Sequence, residues 1–389
     1  MSDFTRRHSL ALLAGAASSS MASVSFAQGL DSDFKGRKFI FVILRGAMDG
    51  LSALIPDDKE IEDLRGHILP ELDTRLNLGN GFRLHPSFAG LQGLYNDGQA
   101  AFIHACATPY RARSHFEGQD ALETLSGAGG KKGWLNRALL DLSARHGGKT
   151  GLAIGRTVPL ALKGDAPVTS WSPPIFPMQA DDVLTRLSDL YQGDDVFAPS
   201  LAMAQDRGAV DVEVSRRESR KFSREIVVTL SSAGRLMSAK GGPNIGMVGL
   251  DGWDTHDKQQ SKLTNKFADL DEGLLALKNS LGASWEKTCV VVCSEFGRTV
   301  AANGTRGTDH GTGGLAILLG GAVKGRRVYG DWPGVKQAAL YERRDLYPAN
   351  DVAAVLKGVM RDHLGFDRAA LDHRVFPRSG RAFDGLIKA

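Results

Sequence analysis

Residues 38–50 read KFIFVILRGAMDG. The first seven positions are nearly all apolar and rich in aromatic and β-branched side chains. The run then stops at Arg45 and enters a glycine-flanked turn that carries Asp49. A strand with one wet face alternates apolar and polar residues. A run that stays apolar at successive positions predicts a strand covered on both faces. The pattern recurs in QAAFIHA (99–105), GLAIG (151–155), NIGMVGL (244–250), TCVVVCS (288–294) and LAILLG (315–320). Between these runs, helical periodicity predicts helices over about 86–96, 115–125, 134–145, 215–238, 260–281 and 350–364. In the last, Val352, Val355, Leu356 and Val359 share a face, and Asn350 or Asp351 is the expected N-cap. Strands alternating with helices predict an α/β fold with a mostly parallel sheet and helices on both faces.

The chain has 389 residues, 42% hydrophobic and 24% charged, enough to bury a large core without covalent staples. Its net charge of +4 is spread along the chain. No basic stripe interleaved with aromatics occurs, which argues against a nucleic-acid partner. Cys106, Cys289 and Cys293 make no disulfide framework. Four residues of strand would hold Cys289 and Cys293 roughly 13 Å apart, beyond disulfide reach, so buried thiols are expected. Neither a haem-attachment motif nor a dinucleotide fingerprint is present.

Arg6 and Arg7 in TRRHSLALLAG, an apolar stretch rich in Ala, Leu and Ser, and small residues at Ser25 and Ala27 predict a twin-arginine signal peptide over residues 1–27. The expected location is therefore periplasmic or secreted, with no membrane span after cleavage. Residues 28–389 are read as one domain with loop insertions at about 156–178 and 193–214. The first holds several prolines and is expected to run over the sheet edge.

Open α/β sheets build their sites beyond the carboxyl ends of the strands. Asp49 follows the first strand, Asp254 and His256 follow the 244–250 run in DGWDTHD, and Glu295 directly follows 288–294. Asp309 and His310 lie in GTDHGTGG, just before 315–320. One acid after a strand is usually a turn former. Several such segments at one sheet edge would repel unless a divalent cation relieved the charge. Mixed carboxylate and imidazole ligands suit one or two ions of Zn, Mn or Fe better than Ca.

Ser114, in RARSHFEGQD, opens a predicted helix. With Glu117 it would make a capping box. The same position would also present a hydroxyl, helix N–H groups and positive potential to a small anionic ester. Arg111, Arg113 and Arg298 are candidate oxyanion clamps, and His115 a candidate acid or ligand.

Together, LRGAMDGL, RSHFEGQD, GWDTHD, SEFGRT and GTDHGTGG after a twin-arginine signal resemble the bacterial Domain of Unknown Function 1501 family. That family is similar to the alkaline phosphatase and sulfatase superfamily. The resemblance implies a three-layer α/β/α sandwich, alkaline-phosphatase-like, and a metal-assisted serine nucleophile at Ser114. Asp49, Asp254, His256, Glu295, Asp309 and His310 would then be metal ligands, and Arg113, Arg298 and His115 would assist catalysis. Asp254 and His256 are spaced more tightly than the superfamily's usual pair, and Glu295 stands alone where an Asp-His pair is common. The Cys106–Arg111 segment is one residue too long for a formylglycine motif. Two functions follow as expectations. One is an exported hydrolase of phosphate or sulfate esters. The other is a non-catalytic, metal-stabilised binding protein that partners another exported protein.

Overall fold

The computed structural model describes residues 36–79, 81–126, 130–146, 151–155, 157–172, 225–377 and 379–388. KFIFVIL forms β1 (Lys38–Leu44), an interior strand of a sheet that has nine strands among the described residues. Its side chains explain its composition. Phe39, Phe41 and Ile43 enter one hydrophobic core, and Ile40, Val42 and Leu44 enter another on the opposite face. Successive side chains of a strand point to opposite faces, so two buried faces require an unbroken apolar run.

The other strands are β2 (Leu54–Pro56), β3 (Leu76–Asn77), β4 (Phe82–Leu84), β5 (Ala100–Ala107), β6 (Gly151–Ile154), β7 (Val168–Trp171), β8 (Ile245–Leu250), β9 (Thr288–Cys293), β10 (Gly314–Leu319), β11 (Arg327–Tyr329) and β12 (Asn350–Asp351). The large sheet runs β11-β5-β10-β9-β1-β8-β6-β7, with β12 also on β5. Strands β2, β4 and β3 form a small antiparallel sheet beside it. In the large sheet every pairing is parallel except those of β10, which opposes both β5 and β9. The reversal matters for the site. The start of β10 lies at the edge where its neighbours end, so residues preceding it meet residues following β9, β1 and β8.

Helices cover both faces, giving the three layers. The described α-helices are α1 (Gly50–Ala53), α2 (Lys59–Arg65), α3 (Ala89–Asn96), α4 (His115–Thr124), α5 (Trp134–His146), α6 (Glu225–Ser238), α7 (Gln259–Leu281) and α8 (Val352–Leu364). Leu122, Trp134, Leu139, Val355 and Val359 place α4, α5 and α8 in the core of Phe39. Leu91, Leu230, Phe267 and Leu274 place α3, α6 and α7 in the core of Ile40. Burying each such side chain contributes about 1.5–3 kcal/mol, so the two cores dominate the folding energy. Asp351 caps α8 by accepting from the Ala353 N–H, as expected.

Two expectations change in detail. Part of the 156–178 stretch does not pass over the sheet edge but extends it, because Val168–Trp171 pairs in parallel with β6. The helix expected from 215 is described from Glu225 onward. The remainder of that segment, residues 193–214 and the signal over 1–27 lie outside the described residues. All three cysteines are buried and free, as expected. Among the described residues no helix is long and apolar enough to cross a membrane.

Candidate metal centre

Four chain segments converge at the carboxyl edge of the sheet. Helix α4 brings His115, the end of β9 brings Glu295, and the loop from β8 to α7 brings Asp254 and His256. The loop entering β10 brings Asp309 and His310. Two glycines permit the loops to touch backbone to backbone. A Cβ on Gly46, whose φ is +111°, would lie 2.5 Å from the Asp254 amide nitrogen. A Cβ on Gly307 would lie 2.2 Å from the His256 carbonyl carbon. Neither distance leaves room for a side chain.

Each of three imidazoles has one nitrogen engaged by an acceptor. His115 Nδ1 lies 2.7 Å from Glu295 Oε1. His256 Nδ1 lies 3.2 Å from Asp309 Oδ1. His310 Nδ1 lies 2.9 Å from the Arg113 carbonyl oxygen. Carboxylates and carbonyls accept, so each Nδ1 is placed to donate a proton, and in a neutral ring with its proton there Nε2 keeps a lone pair. Those Nε2 atoms converge on Asp254. His115 Nε2 is 3.4 Å from Asp254 Oδ2, and His256 Nε2 and His310 Nε2 are 3.0 and 3.4 Å from Oδ1. Ligand atoms of His115, Asp254 and His310 all lie within 4.8 Å of one another. His256 Nε2 is also 3.0 Å from His310 Nε2. With both protons on Nδ1, two facing lone pairs at that distance would repel unless a cation sat beside them.

These residues fit a divalent ion. His115 Nε2 is buried and has no hydrogen-bond partner, an arrangement that costs about 1–3 kcal/mol if left unmet. Three imidazoles and a carboxylate are a donor set for Zn, Mn or Fe. An acceptor behind each ring is the usual means of fixing its tautomer. Glu295 and Asp309, expected as ligands, lie against Nδ1 of His115 and of His256, and His115 lies within the cluster. Charge follows this geometry. The Glu295 hydrogen bond raises the His115 pKa against the effect of burial. Burial lowers that of His310. Burial would raise Glu295, but hydrogen bonds from His115, the Gly46 N–H and Gln119 hold it below the usual carboxylate range.

Asp49 is engaged differently from the other expected ligands. It follows β1 as expected, but its fully buried carboxylate is occupied. Arg65, also fully buried, binds it through two hydrogen bonds of 3.2 and 2.5 Å. The Leu51 N–H, the Ser52 hydroxyl and Gln259 Nε2 donate to it as well. A carboxylate with five donors has no lone pair left for a metal.

The arginines are engaged by the protein itself. Arg298 is buried, and its guanidinium donates to the carbonyls of Gly46, Ala47, Trp253 and Thr308 and to Asp254. It ties the loops together and has no face turned to a substrate. Arg113 pairs with Asp345 at 2.8 Å and with Glu342. It contributes its carbonyl instead, presented from a left-handed backbone with φ of 61°. Arg111 donates to the carbonyls of Thr108 and Tyr110. Ser114 occupies the N-cap of α4, yet its side chain makes no capping bond. Glu117 accepts from the Tyr110 hydroxyl at 2.8 Å, so the expected capping box does not form. Arg65 and Gln259 had no signal in the sequence beyond being polar residues in helical segments.

No curated protein matches this sequence. Among solved structures, the chain is similar to the C-terminal periplasmic domain of EcEptC from Escherichia coli in complex with Zn. That match has 10% identity, 73% of this chain and 72% of that one covered, and a TM-score of 0.38. It is also similar to the lipoteichoic acid synthase LtaP from Listeria monocytogenes, at 10% identity, 76% and 69% coverage and a TM-score of 0.35. A third is a protein in the alkaline phosphatase superfamily from Vibrio parahaemolyticus, at 10% identity, 76% and 62% coverage and a TM-score of 0.33. The family model described as "Protein of unknown function (DUF1501)" matches residues 70–363, most of the chain and every segment of the cluster above, and the chain belongs to that family.

Proposed function

We propose that this chain is an exported, metal-dependent hydrolase of phosphate or sulfate esters. The supporting observation is the convergence of His115, His256 and His310 on Asp254, with each ring oriented from behind and one buried nitrogen unpartnered. Because Asp49 is saturated by Arg65, we read the centre as holding one ion.

A bound divalent ion supplies a Lewis acid that lowers the pKa of a nearby hydroxyl and polarises an ester oxygen. Glu295, Asp309 and the Arg113 carbonyl hold the rings in one tautomer. Asp254 and His256 are about half exposed and mark the side from which substrate would enter. Ser114, directly before His115 and not engaged in capping, is the nucleophile in this reading. Its oxygen forms a bond to phosphorus or sulfur as the alcohol leaves, and water then cleaves the seryl ester. The uncapped first turn of α4 would receive the non-bridging oxygens.

A second reading has an observation of its own. Arg113 and Arg298, two of the three guanidinium groups expected to clamp a tetrahedral anion, are both committed elsewhere. That favours a metal-stabilised protein that binds an exported partner and turns nothing over. Zinc, manganese and iron analysis of chelator-free protein, with turnover of p-nitrophenyl phosphate and p-nitrophenyl sulfate, separates the two. Hydrolysis abolished by Ser114→Ala with an unchanged melting temperature supports the enzyme. Activity retained in that variant excludes Ser114. One ion per chain with no turnover of either ester supports the binding protein.

A further inference from the structure

The two loops that carry Asp254–His256 and Asp309–His310 meet at one side chain behind the cluster. Gln259, the first residue of α7, is fully buried. Its Oε1 accepts from the Thr255 hydroxyl at 2.8 Å and from the Thr308 hydroxyl at 2.6 Å. Its Nε2 donates to Asp49 Oδ2 at 2.5 Å. Only one orientation of the carboxamide serves both sides, because a carboxylate can only accept and the two hydroxyls here donate. Asp49 is itself fixed by the Arg65 pair. Thr255 lies between Asp254 and His256, and Thr308 directly precedes Asp309 and His310. Both threonines are buried. The backbone repeats the connection. The Thr308 N–H donates to the Thr255 carbonyl at 3.2 Å, and the Gln259 N–H donates to the Arg306 carbonyl at 2.8 Å.

We propose that Gln259, oriented by the Arg65–Asp49 pair, is a positioning residue that sets the spacing of the two ligand loops of the metal centre. The inference rests on the metal reading given above. It assigns Asp49 a use other than ligation, since the carboxylate fixes the rotamer of the amide that holds both loops. Such a clamp acts on both loops at once, because one oxygen accepts from each.

Amide hydrogen exchange on the metal-free protein tests the clamp whether or not metal binds. Gln259→Leu is expected to lose protection in 253–257 and in 306–311 together. Loss in only one loop, or in neither, overturns the proposal. Thr255→Val and Thr308→Val serve if the leucine variant does not fold. Zinc titration by calorimetry then reads the metal centre. Each valine variant is expected to bind Zn²⁺ about 10–100-fold more weakly, the usual effect of losing outer-shell support. Thr255→Ser and Thr308→Ser, which keep the hydroxyl, are expected to bind like the wild type. Serine variants as weak as the valine variants overturn the proposal. In a double-mutant cycle the two valine losses are non-additive if both act through Gln259, and full additivity overturns it. Wild type that binds neither Zn²⁺ nor Mn²⁺ removes the metal reading, an outcome the exchange data keep distinct from failure of the clamp.

Discussion

Asp49 and Asp254 follow neighbouring strands of one sheet and reach the same edge. Each lies beside a fully buried arginine, yet they do different things. Arg65 meets both oxygens of Asp49, and three further donors complete its shell. Arg298 meets one oxygen of Asp254 and directs its other donors to backbone carbonyls. The other oxygen of Asp254 remains toward His115. The role of a strand-end carboxylate is thus decided by how much of it the nearest fixed cation consumes. A saturated carboxylate becomes scaffold, and a half-engaged one keeps a lone pair for chemistry.

The largest effect expected from this contrast is on stability. Asp49→Ala leaves Arg65 charged, buried and unpaired, a change that costs about 3–5 kcal/mol. Urea unfolding measures it. Asp254→Asn is expected to cost less than about 1 kcal/mol, because Arg298 keeps its carbonyl partners and Asp254 is part-exposed. Equal losses for the two variants would break the comparison.

Acid should separate scaffold from site next. His104 donates from Nε2 to the Leu54 carbonyl and accepts at Nδ1 from the Ala105 N–H, and burial lowers its pKa to about 4. His85 and His363 are likewise lowered to about 4, mainly by burial. Their folded values lie below the unfolded value of 6.5, so the unfolded chain binds more protons in that interval. Their contribution is complete above pH 6.5 and is lost as pH falls toward 4, by roughly 3 kcal/mol for fully buried His104. Burial would raise the Asp49 carboxyl, but the charge and hydrogen bonds of Arg65 hold it below its usual value. Its contribution is present above about pH 4 and is lost only below that. Unfolding midpoints against pH should therefore fall in two stages, and Asp49→Asn should shrink the lower one.

Metal affinity supplies the smaller effects. Asp254→Asn should weaken zinc binding by more than about 100-fold, and Glu295→Gln by about 10–100-fold through loss of the acceptor that orients His115. Calorimetry on folded protein reads both. A Glu295→Gln loss larger than that of Asp254→Asn would return Glu295 to the ligand set.

Much of this site was legible before the fold was known, and the limits of that reading have a physical pattern. Asp254 with His256, and Asp309 with His310, are close in sequence, so the loop that brings one brings the other. The distant partners of Asp49 are 16 residues away in Arg65 and 210 away in Gln259, and nothing in either local sequence points to the other. Glu295 and Asp309 were recognisable as acids at the right edge. Whether an acid touches the ion or the ring behind it depends on a few ångströms of loop placement.

The sequence alone determined the six long apolar strands, the helices that alternate with them and the edge at which polar residues gather. A short unbroken apolar run rich in β-branched and aromatic residues favours a strand buried on both faces, and that preference is local. Tertiary structure decided which arginine saturates which carboxylate, which nitrogen of each imidazole is engaged, and that the reversed β10 delivers His310 to His115. Those outcomes depend on distances between groups far apart along the chain, and they are fixed only when the layers pack.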